Sequence, residues 1–231
     1  MSLLYWKGCM SRFRTKKIAN SIEELLLKMK INYLKLNDEG CCGSILYRTG
    51  QIEDAIKVSR KTMNKIYSIN VEEVITGCPG CFRTMSKDYE NFNVKIYHIS
   101  QFLLKFKDLL KENLRELNVK VTYHDPCHLG RHMGIYEEPR ELIKLIPGIK
   151  FLEMKDNRNK ALCCGYGGGV RSAYPEVSME IAKMLLLSLP NDIEILVTAC
   201  PFCNYALSNS KIKVLDLPEL LLLAWIDNWR K

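Results

Sequence analysis

The ten cysteines of this 231-residue chain fall into two copies of one pattern. In each copy a single cysteine is followed by an adjacent pair and then by a CxxC, with 35 residues between the pair and the CxxC. The first copy comprises Cys9, Cys41, Cys42, Cys78 and Cys81, and the second comprises Cys127, Cys163, Cys164, Cys200 and Cys203. The repeat predicts two thiolate-rich sites built by one duplicated unit, and thiolates gathered in this way hold soft metals.

The two halves also match outside their cysteines. Residues 74–81 (VITGCPGC) resemble residues 196–203 (LVTACPFC). We therefore predict a tandem duplication, with a first unit at residues 1–118 and a second at residues 119–231. No low-complexity linker lies between them, so we expect the halves to pack directly against each other around a pseudo-twofold axis.

Short apolar runs alternate with longer segments of helical period, which predicts an α/β fold with mainly parallel sheets and crossover helices. The candidate strands are residues 3–6, 33–36, 73–76, 95–97, 120–123, 150–152, 193–198 and 213–215. The clearest helices are residues 18–30, 51–67, 139–146 and 176–187. Each cysteine group of the first half follows a predicted strand. Because ligands of open α/β sheets bind at the carboxyl ends of strands, we expect the three groups of each unit to converge on one site.

The N-terminal sequence, the apolar stretches and the net charge indicate the cellular compartment and the kind of partner. The N-terminus has no signal-peptide pattern, and the longest apolar stretch, residues 220–226, is far shorter than the ~20 residues that span a bilayer. We expect a cytoplasmic protein without a transmembrane segment, where a reducing environment disfavours disulfides. The net charge of +8 suits an acidic electron donor. We expect no nucleic-acid partner, because the basic residues are scattered along helices and not interleaved with aromatic residues.

The number of cysteines narrows the choice of metal. Structural zinc takes four ligands, and each unit offers five thiols. The surplus favours an iron–sulfur cluster with an unusual ligand count. Zinc in one or both sites, and chemistry of disulfides or thiols alone, remain as alternatives at this point.

Both halves resemble the CCG cysteine-rich domain, which occurs in heterodisulfide reductases of the B and D type and in related iron–sulfur proteins. The similarity to the heterodisulfide reductases is strongest at residues 124–131 (HDPCHLGR) and 163–169 (CCGYGGG). The resemblance implies two noncubane 4Fe–4S clusters, each held by the five cysteines of one unit. It also implies an oxidoreductase subunit acting on sulfur groups, which reduces a disulfide such as CoM-S-S-CoB of methanogenesis.

Two other functions are compatible with the sequence. One is a non-catalytic electron-transfer subunit of a flavin dehydrogenase complex, of the glycerol-3-phosphate or lactate type. The other is a zinc-bearing scaffold subunit. The chain has no CxxCxxCxxxCP motif, which heterodisulfide reductases of the D type carry. We therefore expect a separate ferredoxin-like iron–sulfur subunit as partner and, beyond it, a flavoprotein subunit, with a small-molecule disulfide or thiols as substrate.

Polar residues near the second cysteine group are the candidate catalytic residues. His124, His128 and Arg131 crowd around Cys127, where an imidazolium or guanidinium would bind an anionic substrate or donate a proton to a leaving thiolate. Tyr166 lies between cluster cysteines and glycines, where it would contact the substrate.

Overall fold

Within the described residues, seven short strands form two parallel sheets, one in each half of the chain. The computed structural model describes residues 2–226. The strands are β1 (Leu3–Trp6), β2 (Glu73–Thr76), β3 (Lys95–His98), β4 (Lys120–His124), β5 (Lys150–Phe151), β6 (Ile195–Thr198) and β7 (Lys213–Asp216). The sheet orders are β1-β2-β3 and β5-β4-β6-β7, and every strand pairing within them is parallel. This confirms the predicted α/β class with two tandem units.

Helices connect the strands and cover both sheets. Those of the first half are α1 (Cys9–Phe13), α2 (Lys16–Lys28), α3 (Ser44–Arg48), α4 (Ile52–Tyr67), α5 (Pro79–Lys87), α6 (Ile99–Leu104) and α7 (Lys107–Asn113). Those of the second half are α8 (Gly130–Met133), α9 (Glu137–Lys144), α10 (Val170–Ala173), α11 (Pro175–Leu187), α12 (Pro201–Leu207) and α13 (Leu217–Leu223), with a 3₁₀ turn at Arg158–Lys160. None of the helices within residues 2–226 has both the length and the apolar character to cross a bilayer.

The strand predicted at residues 33–36 is wrong. This segment forms only an isolated parallel bridge between Leu34 and Leu4. Leu34 is exposed, so little burial holds the segment against the sheet. A few residues further on, the side chain of Glu39 accepts hydrogen bonds from the backbone N–H groups of Lys7 and Gly8. The chain leaves the sheet edge after this segment, and the Glu39 carboxylate then lies next to the end of β1.

The two halves share one hydrophobic core. Helix α13 of the second half packs on α2 of the first, and α6 of the first half packs on α9 of the second. The buried face of α2, including Ile22 and Leu25, belongs to the same cluster as Leu220 and Leu221 of α13. Each half thus completes the core of the other. The last residues of the predicted second unit, 227–231, lie outside the described residues.

Candidate functional site

All ten cysteines line a single cavity between the two halves. The cavity has a volume of about 100 Å³. All ten side chains are free thiols, with six of them buried and four half-buried. Residues that are separated by almost 200 positions in the sequence therefore face one common space.

Strand ends bring the cysteines there. Cys9 begins α1 shortly after β1 ends. Cys78 follows β2 and occupies the N-cap position of α5, and Cys200 follows β6 and occupies the N-cap position of α12. The carboxyl ends of these strands therefore bring cysteines of both halves to one place.

Each adjacent cysteine pair is held in a glycine turn. Gly43 and Gly165 both have φ of +77°, in the left-handed region that side chains rarely adopt. Their N–H groups donate to the sulfurs of Cys41 and Cys163, each at 3.4 Å. A Cβ at position 165 would also lie 2.8 Å from the carbonyl oxygen of Ser178. The turns let two neighbouring cysteines face one centre.

Hydrogen bonds connect the five sulfurs of each half in the same order. The order is Cys9, Cys41, Cys42, Cys81 and Cys78 in the first half, and Cys127, Cys163, Cys164, Cys203 and Cys200 in the second. Two of these contacts have Sγ–Sγ distances of 4.0 Å, for Cys127 and Cys163, and 3.3 Å, for Cys164 and Cys203. The two sites therefore repeat in arrangement as well as in sequence.

One cysteine of each adjacent pair has a strongly lowered pKa. Hydrogen bonds from Cys42, Cys9 and the Gly43 N–H lower the pKa of Cys41 to about 2. Those from Cys127, Cys164 and the Gly165 N–H lower the pKa of Cys163 to about 2. The pKa values of the neighbouring Cys42 and Cys164 are raised, which favours the proton on those two and the thiolate at Cys41 and Cys163. Thiolates are the form that binds metal.

Of the four predicted catalytic residues, His128 alone lines the cavity. His124 is fully buried at the end of β4 and does not line the cavity, although it lies close enough to Cys163 to interact with its charge. Arg131 points to the backbone and donates to the carbonyl oxygen of Ala161. Tyr166 packs against the second cysteine group without lining the cavity, and its ring lies 5.4 Å from that of Tyr205.

The His128 side chain is largely enclosed. Burial, together with the charges of His132 and Arg83, lowers the pKa of the His128 imidazole to about 4. The protein groups around it therefore favour a neutral ring at neutral pH, and not the imidazolium expected from the sequence.

Several cavity residues were missed in the sequence. They are Met10, Ser44, Ile45, Arg48, Gly80 and Phe202. Three of them have a usable sequence signal, because Met10 follows the first cysteine of its unit and Gly80 and Phe202 sit inside the CxxC motifs. Arg48 has none. It reaches the cavity from the end of α3 and pairs with Asp88 at 2.8 Å.

A family model of the CCG cysteine-rich domain matches residues 3–86 and residues 121–208. The chain belongs to the CCG cysteine-rich domain family. The two matched regions are the two halves that carry the cysteine groups. The resemblance drawn from the cysteine spacing is confirmed.

CCG-family relatives are iron–sulfur and oxidoreductase proteins by name. The D subunit of dihydromethanophenazine:CoB–CoM heterodisulfide reductase of Methanosarcina acetivorans is 34% identical over 91% of this chain and 54% of the relative. The B subunit of fumarate reductase (CoM/CoB) of Methanothermobacter marburgensis is 32% identical over 97% and 46%. EtfAB:quinone oxidoreductase of Syntrophomonas wolfei is 28% identical over 94% and 34%. The chain spans about half the length of the first two. The chain is thus related to iron–sulfur proteins and to oxidoreductase subunits of this family.

Proposed function

We propose that this CCG protein is the subunit of a heterodisulfide reductase-type complex that reduces a small-molecule disulfide. Two 4Fe–4S clusters of the noncubane type would be held by the ten cysteines, five from residues 1–118 and five from residues 119–231. The observation that carries this proposal is the single cavity lined by both five-cysteine groups. Two redox centres at one cavity suit the two-electron cleavage of one bond.

The donor set fits iron–sulfur clusters. Such clusters are held by cysteine thiolates, and ten thiols are available here. Structural zinc takes four ligands, and each half offers five thiols. The surplus thiol of each half therefore favours clusters over the zinc alternative.

The reaction consumes one disulfide, two electrons and two protons, and yields two thiols. When bound, the clusters would supply the electrons singly and iron as a Lewis acid for a departing thiolate. The protein encloses this chemistry. Cysteines, Met10 and Phe202 give the cavity a largely apolar lining, which excludes water, while His128 and Ser44 offer hydrogen bonds to a substrate.

His128 is the candidate of the four that is in reach of a substrate. The His128 ring lies beside the CxxC of the opposite half. A Cβ added at Gly80 would be 3.8 Å from the Nδ1 atom of His128. We assign it a hydrogen-bonding role toward the disulfide or the thiols. Roles for His124, Arg131 and Tyr166 stay predictions, and their positions suggest support of the cysteine loops.

Partners follow from the chemistry of the proposal. Electrons must reach the cavity from outside, and we propose a ferredoxin-like iron–sulfur protein as the immediate donor, with a flavoprotein beyond it. The net charge of +8 suits an acidic donor. We place the complex in the cytoplasm, where thiolate ligands stay reduced.

A second function is electron transfer without substrate turnover. The similarity to EtfAB:quinone oxidoreductase favours it, because the name of that relative describes an oxidoreductase that acts between EtfAB and a quinone. In that case the cavity would hold the clusters and bind no disulfide.

The deciding experiment uses protein purified without oxygen. Iron and acid-labile sulfide are measured, and EPR spectra are recorded during an oxidising titration with and without thiols. About eight irons per chain and a paramagnetic signal that depends on thiol are expected. Zinc without sulfide would refute the proposal. Eight irons with no response to thiols would leave electron transfer as the function.

A further inference from the structure

The positive charge of this chain lies almost entirely in its first half. Residues 1–118 contain 20 Lys and Arg and 13 Asp and Glu, which gives a net charge of +7. Residues 119–231 contain 14 Lys and Arg and 13 Asp and Glu, which gives a net charge of +1. An imbalance of this size between two repeated halves indicates a charged partner that meets one of them.

Two basic segments that are distant in sequence meet beside the first cysteine group. One is α1 with Arg12, and the other is the exposed side of α4 with Lys61. The hydrogen bond from Lys65, together with the charges of Lys61 and Arg12, lowers the pKa of the exposed Asp38 carboxyl. Lys65 forms an ion pair with Asp38 at 2.6 Å, whereas Arg12 and Lys61 form none within the described residues. Uncompensated positive charge therefore remains at this surface.

This basic surface lies next to the two more accessible cysteines of the first group. Cys9 and Cys41 are half-buried, and the other three cysteines of the group are buried. Arg12 is in the same turn of α1 as Cys9. The hydroxyl of Thr62, the residue after Lys61, donates to the carbonyl oxygen of Cys41 at 2.9 Å. Both basic segments are thus attached to a cysteine of this group.

An aromatic ring projects from the basic surface. Phe13 is 67% exposed, and the guanidinium carbon of Arg12 lies 5.1 Å from the centre of its ring. Because α1 begins at Cys9, Phe13 is four residues, or about 6 Å of helix rise, from a cysteine of the first group. Aromatic residues and arginine are enriched where proteins contact one another. The basic surface therefore has an apolar contact point at its centre.

The equivalent positions of the second half differ. Lys183 of α11 corresponds to Lys61, because each lies 20 residues after the first cysteine of its adjacent pair. Lys183 forms an ion pair with Glu180 at 3.7 Å. Phe13 corresponds to Arg131, which donates to a backbone carbonyl. The basic surface with its exposed ring is therefore a feature of the first half.

We propose that this surface, formed by Arg12, Phe13 and Lys61, is the docking site of an acidic electron-transfer protein, and that electrons enter the chain at the first cysteine group. Each encounter passes one electron, so an iron–sulfur centre of the partner is oxidised as the centre held by the first group is reduced. The positive charge attracts the acidic partner, and Phe13 supplies the apolar contact that orients it. This inference rests on the proposed function for the kind of partner alone.

The test measures docking of an acidic plant-type ferredoxin to the anaerobically purified, iron-loaded protein. Isothermal titration calorimetry with the oxidised ferredoxin gives Kd without any turnover. Stopped-flow absorbance with pre-reduced ferredoxin gives the rate of electron entry. Both are measured at about 0.01 M and about 0.15 M ionic strength, where the Debye length is roughly 30 and roughly 8 Å.

The variants separate charge, apolar contact and location. Lys61→Glu reverses one charge of the surface, and Phe13→Ala removes the ring. Lys183→Glu is the matched control, because it makes the same change at the equivalent position of the second half. Iron and sulfide content serve as the control for intact sites. If Lys61→Glu loses iron, Lys61→Gln takes its place, with a smaller effect of the same sign.

We expect Lys61→Glu to raise the Kd on the order of tenfold at low ionic strength and by about threefold at the higher one, because salt screens the lost attraction. Phe13→Ala should raise the Kd about fivefold at both ionic strengths, because an apolar contact is not screened. Lys183→Glu should stay within about twofold. The rates of electron entry should fall in the same order.

Several results would overturn the docking site. One is equal weakening by Lys61→Glu and Lys183→Glu, and another is no weakening by Lys61→Glu. A third is loss of binding to vesicles of phosphatidylglycerol in Phe13→Ala with unchanged affinity for ferredoxin, which would identify an anionic lipid surface as the occupant.

Failure of the docking site is separable from failure of the proposed function. A protein that binds ferredoxin as expected, but whose EPR signal does not respond to thiols, loses the proposed disulfide reduction and keeps the docking site. A protein that responds to thiols but does not bind ferredoxin keeps the proposed reduction and loses the docking site.

Discussion

The two halves hold the same cysteine arrangement with different supports. In the first half, the carboxylate of Glu39 accepts hydrogen bonds from the N–H groups of Lys7 and Gly8, at 2.7 and 2.8 Å, just before Cys9. In the second half, Asp125 accepts two bonds of 2.7 Å from the fully buried guanidinium of Arg140. Two unrelated polar networks thus stabilise the equivalent strand end in each half. This indicates that the parallel-sheet topology places the cysteines and that the polar networks hold the strand ends in position.

The outer surfaces of the halves differ as well. The exposed side of α4 in the first half is mainly charged, with Lys57, Arg60 and Lys61 among its exposed residues. Its counterpart α11 exposes apolar side chains, including Met184 and Leu187. An exposed apolar helix face is a common feature of contact surfaces. The two halves therefore share the arrangement of their cysteines and differ in the chemistry of their exposed helix faces.

Loss of one cysteine per half gives the largest expected effect. Cys42→Ser and Cys164→Ser each remove one thiolate from a separate group of five, so each variant should lose about half of the iron and keep the other half. Iron and sulfide analysis with EPR would measure this. Complete loss of iron from either variant would show that the two groups form one shared site.

The two polar networks, that of Asp125 with Arg140 and that of Glu39 with two backbone N–H groups, should differ in their contribution to stability. Asp125→Ala leaves the Arg140 guanidinium buried with Glu153 as its remaining carboxylate partner, and breaking such a pair costs about 3 kcal/mol of unfolding free energy. Glu39→Ala leaves two backbone N–H groups without an acceptor, which costs about 2 kcal/mol. Denaturant unfolding of both variants checks the order. A larger loss from Glu39→Ala would reverse this part of the comparison.

The caps of two equivalent helices should respond to pH with opposite sign. His98 caps α6, and burial lowers its pKa to about 4 from 6.5. The unfolded state therefore binds more protons between these values, and stability falls as the pH drops through this window, by up to about 1.4 kcal/mol per unit. His98→Asn keeps a capping side chain and should flatten that slope, as measured by unfolding at pH 6.5 and 4.5.

Asp216 is the matched control, because it caps α13 at the equivalent position. Burial raises its pKa well above 3.8, so it contributes less stability as the pH rises above that value. Asp216→Asn should flatten a slope of the opposite sign. Equal pH profiles for the two variants would contradict the assignment.

Surface changes on the two outer helices should have the smallest effect on stability. Leu187→Lys on α11, where the side chain is 78% exposed, should change the unfolding free energy by less than about 0.5 kcal/mol. It should lower self-association at high concentration, as measured by light scattering, because it interrupts the apolar face. Lys61→Leu on α4 is the reverse change, and we expect it to raise self-association.

The strands and helices that could be predicted from the sequence are those whose apolar residues recur at regular intervals. The strand at residues 73–76 and the helix at residues 51–67 have clear periodicity, and the structure has them within one residue. Strand ends position the first cysteine and the CxxC of each half, and all ten cysteines line one cavity. Residues 33–36 have the same local character as a strand, but their burial depends on distant parts of the chain.

Side-chain direction was harder to predict. His124, His128 and Arg131 are neighbours in sequence, and the turn after β4 sends them to three different surroundings. The pair between Arg140 and Asp125, and the contact of Phe202 with both cysteine groups, join positions with no common sequence signal. The Phe202 contact depends on how the halves dock, and the Arg140–Asp125 pair depends on tertiary packing within the second half, neither of which local patterns encode.

The reciprocal packing of the halves affects the order of events during synthesis. The apolar face of α2 is complete early in translation, but the helix that covers it, α13, is made almost 190 residues later. At ribosomal speeds this delay is on the order of ten seconds or more. During that time a nascent chain presents an uncovered apolar face beside five reactive thiols. We therefore expect chaperone protection to precede iron delivery, with both sites filled after the chain is released.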